Sequence, residues 1–129
     1  MDPELQKKWR ELLAKLSVQF DGDPDLNAVI FLIGVQELGK GAATYTKDEK
    51  IEIMHIAVCS MLTPYGYYVY EGRDEDGWPH YSAVKSLPQM NAVGQAAFMK
   101  KAIVEYFERR EKENWLLYLD GFFCRFPRL

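Results

Sequence analysis

At 129 residues, 48% of them hydrophobic, the chain is long enough to bury one apolar core and needs neither metal nor disulfides to hold it. Its 16 basic and 19 acidic residues give a net charge of −3, which excludes the broad positive field that phosphate-backbone binding requires, so no nucleic-acid partner is expected. Apolar runs such as 28–35 fall well short of the roughly 20 residues a bilayer-spanning helix takes, so no membrane span is expected.

The opening Met1-Asp2-Pro3-Glu4-Leu5 is polar from the start, with no basic stretch leading into an apolar run, which predicts a cytoplasmic protein. Asp2-Pro3 joins a capping side chain to proline at the first helical position. Leu5, Trp9, Leu12, Leu13, Leu16 and Phe20 then recur at helical spacing. An amphipathic outer helix follows, its other face (Lys7, Lys8, Arg10, Glu11, Lys15) being solvated.

Asp21-Gly22-Asp23-Pro24-Asp25 breaks the chain, and Asp23-Pro24 repeats the capping signal for a second helix over about 24–38, ended by Gly39. Leu26, Val29, Ile30, Phe31, Leu32, Ile33 and Val35 leave this helix almost no polar face, which predicts a central position. Thr46-Lys47-Asp48-Glu49 is a capping-box pattern and starts a third helix. Ile51, Ile53, Met54, Ile56, Ala57, Val58, Met61 and Leu62 leave it little room for solvent until Pro64 and Gly66 stop it.

Segments 67–71 and 78–84 are rich in aromatic and β-branched residues around a glycine-containing turn, which predicts a two-stranded hairpin, with Pro79 placing the second strand at an edge. A fourth helix is expected from about Asn91 past Glu111, with Ala96, Met99, Ile103, Tyr106 and Phe107 on one stripe. The stretch from Trp115 is far more apolar than a chain end usually is. Asp120-Gly121 signals either a tight hairpin there or the stop of the fourth helix. The expected architecture is mainly α: a single-domain bundle of about four helices over 1–114, a small hairpin at about 67–84, and an apolar extension at 115–129.

Few constellations point to chemistry. Glu52 and His55 have the Glu-x-x-His spacing of carboxylate-bridged di-iron bundles, but those sites need a second such motif and no glutamate lies three residues before His80. A mononuclear site from Glu52, His55, His80 and Asp74 or Asp76 stands beside the plainer reading of a partly buried helical histidine satisfied by one hydrogen bond. His55 and Cys59 lie one turn apart on one face, so a Cys-His pair is geometrically possible. Burial would raise the thiol pKa and leave Cys59 a small core residue. Cys59 and Cys124 have no Cys-x-x-Cys spacing, the 21–32 segment lacks the glycine and glutamate of a calcium loop, and no phosphate-binding glycine motif occurs, so no cofactor is expected.

Recognition is better supported. Between the third and fourth helices, Tyr65, Tyr67, Tyr68, Tyr70, Trp78 and Tyr81 flank the acidic turn Asp74-Glu75-Asp76, with His80 beside it. Aromatic side chains with a polar handle next to carboxylates suit a contact surface, though tyrosines at strand spacing also pack over neighbouring helices. Tyr67, Tyr70, Asp74, Asp76, Trp78 and His80 on the hairpin, with Trp115, Phe122 and Phe123 in the tail, are therefore the expected partner-binding residues of a non-catalytic protein that docks on a protein partner or on itself as a homo-oligomer. The alternative is a small-molecule or metal-dependent enzyme using His55, Glu52, His80 and the Asp74–Asp76 turn.

The string Val29-Ile30-Phe31-Leu32-Ile33-Gly34-Val35-Gln36-Glu37-Leu38-Gly39, with Pro64-Tyr65-Gly66-Tyr67-Tyr68 and Asp74-Glu75-Asp76-Gly77-Trp78-Pro79-His80-Tyr81, resembles a family of small, mainly helical proteins from Bacteroidota. The resemblance covers about 5–107 and leaves the apolar tail outside. It implies a cytoplasmic protein of such bacteria and no activity.

Overall fold

The structure, a computed structural model, describes residues 2–18, 22, 24–40 and 43–112. Among the described residues, four helices and one two-stranded antiparallel hairpin between the third and fourth make the fold mainly α, in the expected order. Asn27–Gln89 forms one compact unit, and the first and fourth helices belong to the other. Among the described residues no helix is long and apolar enough to cross a membrane. The 115–129 extension, with Trp115, Phe122 and Phe123, lies outside the described residues, as do Phe20 and the capping residue Asp23.

Helix α1 spans Pro3–Leu16, and Asp2 caps it as expected: its Oδ1 accepts from the amide of Glu4 at 3.1 Å. Trp9, Leu12 and Leu16 are buried, while Leu5 and Leu13 are half-buried. Helix α4 spans Ala92–Lys112, and Asn91 caps it by accepting from the amide of Gly94 at 2.8 Å. Its expected stripe deepens toward the C-terminal half. Ile103, Tyr106 and Phe107 are buried together with Ala102 and Val104, whereas Ala96 and Met99 are half-buried. The polar face of α1 is not wholly solvated, because Lys8 reaches Glu108 of α4 at 3.4 Å and Lys100 of α4 lies 5.6 Å from the Trp9 ring centroid.

Helix α2 spans Leu26–Leu38, starting two residues later than the proline signal suggests. Gly39, at φ +78°, ends it in the left-handed conformation that glycine adopts without strain. Helix α3 spans Lys47–Leu62 behind a complete capping box: the Glu49 amide donates to Thr46 Oγ1 at 3.1 Å, and the Thr46 amide donates to Glu49 Oε1 at 2.8 Å. The two helices touch at Gly34. A Cβ built there would lie 2.6 Å from Cγ2 of Ile53 and closer still to the Ile53 carbonyl oxygen, so only glycine allows the approach. Val29, Ile33, Ile53, Ala57 and Cys59 are fully buried.

Helix α3 is not shielded all round. Ile51 is 61% exposed, and Glu52 and His55 are exposed with it. Residues 48, 51, 52 and 55 share one face at helical spacing, so a count of apolar residues overstated how much of the helix is covered. A short 3₁₀ turn, Thr63–Tyr65, and Gly66 at φ +85° then redirect the chain into the hairpin.

Candidate functional site

The hairpin pairs β1 (Tyr68–Arg73) with β2 (Pro79–Ala83). Tyr68 faces Ala83 and Tyr70 faces Tyr81, but Gly72 rather than Glu71 faces His80, so Glu71 is the extra residue of a β-bulge. Gly72, at φ +100°, takes the backbone conformation that the bulge imposes. Pro79 opens β2 and is buried; among the described residues the sheet has two strands, so both are edges, and proline at the first position disturbs no ladder bond.

Asp74 organises the turn. Its Oδ1 accepts from the amides of Asp76 at 2.9 Å and Trp78 at 3.0 Å, and its Oδ2 lies 2.8 Å from Nε2 of His80. A carboxylate only accepts, so His80 donates from Nε2. The His80 bond foremost, then the Trp78 and Asp76 amides, hold the Asp74 carboxyl below the usual carboxylate range.

Arg73 ties this turn to α2. Its guanidinium donates to the carbonyls of Leu38 at 3.0 Å, Glu37 at 2.8 Å and Gly77 at 2.6 Å. Helix α2 has no basic residue in its last turn, and Arg73 supplies the positive charge that the carbonyl end of a helix favours. Lys40, just past that end, sets its ammonium 5.5 Å from the Trp78 ring centroid.

With the turn so held, a cleft of about 380 Å³ opens between the exposed edge of α3 and the hairpin. From α3 it is lined by Glu49, Glu52, His55, Ile56 and Cys59; from the hairpin by Asp74, Asp76, Trp78, Pro79, His80 and Tyr81. The Tyr81 hydroxyl lies beside Ser60 of α3, and burial pushes its pKa up. The Tyr68 ring meets His55 edge-on at 6.2 Å, so the hairpin is seated on α3 by aromatic contacts as well as by the turn.

Four of the residues expected from sequence to bind a partner, Asp74, Asp76, Trp78 and His80, therefore line one cleft, together with Glu52 and His55 from the enzymatic alternative. Tyr70 and Tyr67 do not line it. Tyr70, 50% exposed, leans on Tyr81 at 5.4 Å, and Tyr67 lies under the Lys85 ammonium at 4.4 Å. The expectation of a partly buried His55 is corrected: it is exposed because it faces the cleft. Its Nε2 and the Cys59 Sγ lie 3.4 Å apart, so the Cys-His pair exists, but burial pushes the thiol pKa up to about 11 and leaves it without nucleophilic character.

Among the described residues no three His, Cys, Asp or Glu side chains gather closely enough to hold a metal ion. Glu52, His55, Asp74, Asp76 and His80 face each other across the cleft without forming a ligand set. Sequence reasoning missed Arg73 and Lys40, whose contacts are long-range, and Glu49, which it read only as a cap; Tyr81 it placed in the aromatic segment without naming it a binding residue. No protein-family model matches this chain, and neither does a curated protein or a solved structure.

Proposed function

We propose that the chain is a cytoplasmic, non-catalytic interaction protein, akin to small Bacteroidota proteins, that docks on a protein partner or on a second copy of itself through the face formed by α3 and the hairpin. The observation that carries this reading is the cleft itself: a turn braced by Asp74 and Arg73 presents Trp78, His80 and Asp76 opposite an exposed helix edge. A contact surface gains affinity from such pre-organisation, because little ordering is left to occur on binding.

The test is native mass spectrometry with cross-linking on the full chain from its own host, comparing wild type with Trp78→Ala combined with Tyr70→Ala. Loss of an oligomer or a co-purified partner in the double variant is the expected result, and unchanged assembly rejects the hairpin face. Deleting 115–129 asks the same of the apolar tail.

The same convergence favours a second reading, a small-molecule enzyme using His55, Glu52, His80 and the Asp74–Asp76 turn, since Asp74 orients His80 as a carboxylate orients an acid-base imidazole. Incubation with a metabolite extract decides it. Identical metabolite profiles for wild type, His55→Ala and His80→Ala would remove the enzyme.

A further inference from the structure

We infer that the cleft between α3 and the hairpin seats a guanidinium or ammonium group carried on a basic segment of a protein partner. The inference rests on the interaction reading above and names the chemistry of the partner. Four carboxylates line the cleft, Glu49 and Glu52 from α3 and Asp74 and Asp76 from the turn, and no lining residue is lysine or arginine.

These carboxylates are not equivalent. Glu49 is engaged by the Thr46 amide, and Asp74 by His80 and two amides. The side chains of Glu52 and Asp76 have no hydrogen bond or ion pair among the described residues. Two unpaired negative charges thus face one concave space from opposite walls, and a cation between them interacts with both. The wall between is aromatic. Trp78 and Tyr81 line it, and an aromatic ring attracts a cation; the Lys40 ammonium already stands 5.5 Å from the Trp78 centroid, so an incoming cation competes with it for that ring.

Size points the same way. About 380 Å³ lies near the lower end of the roughly 300–1,000 Å³ of small-ligand pockets and suits one or two long side chains. A single Lys or Arg anchor is the kind of contact that fixes register in a larger interface.

The experiment titrates isotope-labelled full chain with a six-arginine peptide, a six-glutamate peptide and spermidine, reading the Trp78 indole and His80 ring resonances. The arginine peptide is expected to shift both, to bind about tenfold more weakly to Glu52→Gln combined with Asp76→Asn, and to weaken as salt is raised. The glutamate peptide is expected to shift neither. No response to the arginine peptide, or equal affinity in the double variant, overturns the inference, and tighter binding of spermidine than of the peptide overturns the assignment to a protein segment. If the cation fails while Trp78→Ala with Tyr70→Ala still abolishes assembly, the interaction reading stands without it; if both fail, both fall.

Discussion

Helix α3 has two sides in contrasting surroundings. Toward α2 it is seated on Gly34 so closely that no side chain fits between, and the residues there are fully buried and apolar. Toward the hairpin it presents Glu49, Glu52 and His55 across a cleft whose far wall is held by hydrogen bonds that Asp74 accepts and Arg73 donates. The first side depends on shape, with no room to adjust, whereas the second depends on polar groups placed around open space. Substitutions should therefore disturb stability on one side and recognition on the other.

Substitution at the seam should cost the most. Gly34→Ala forces a methyl group against the Ile53 backbone and should cost about 3 kcal/mol, the upper end of the range for overpacking, because backbone yields less than side chain. Hydrogen exchange in the middle of α2 and α3 measures it. Unchanged protection would mean that the seam is looser than its geometry and would erase the contrast. Glu52→Gln, on the other side of α3, should leave the same amides untouched.

Next comes the brace. Arg73→Ala removes three donor contacts at the end of α2 and the turn, and should cost about 2 kcal/mol, as charge-assisted hydrogen bonds do. It should also free the Trp78 indole from its position beside Lys40, seen as a loss of resonance dispersion. Arg73→Lys should recover only part of this, since an ammonium cannot span the fork that reaches Glu37 and Leu38 together. Thr46→Ala, which removes half of the capping box, should cost about 1 kcal/mol and loosen only the first turn of α3.

These cases show how far the sequence could be read. Caps and stops were legible because their causes are local: Asp2, Thr46 with Glu49, Gly39 and Gly66 each act within four residues. The aromatic-acidic segment was legible as a hairpin around a turn, and the one-turn spacing of His55 and Cys59 as a contact. The exposed edge of α3 was misread because apolar residues were counted without following their phase around the helix. Arg73 was invisible for a different reason. Its partners lie 35 and 36 residues earlier in the chain, and nothing in Gly72-Arg73-Asp74 announces that a helix end will be brought to it.

Protonation of Asp74 should have the least effect on stability, because it alters the polar side of the cleft without touching the α2–α3 seam. Asp74 has its folded-state pKa depressed by His80 and by the Trp78 and Asp76 amides, so its contribution to the turn is fully present above the ordinary carboxylate range of about 4 and is lost as pH falls through the depressed value. Below that point a protonated carboxyl accepts weakly from two amides and no longer attracts the His80 imidazole. Asp74→Asn keeps an Oδ1 acceptor for the Asp76 and Trp78 amides but carries no charge, so its turn should be weaker than wild type near neutrality and show no such acid transition. The Asp76 and Trp78 amide resonances, followed from pH 6 downward, measure this directly. A transition that persists in Asp74→Asn would assign the acid sensitivity to Glu49, Glu52 or Asp76 instead, and the cleft would then owe its shape to the charges on its walls and not to the turn that frames it.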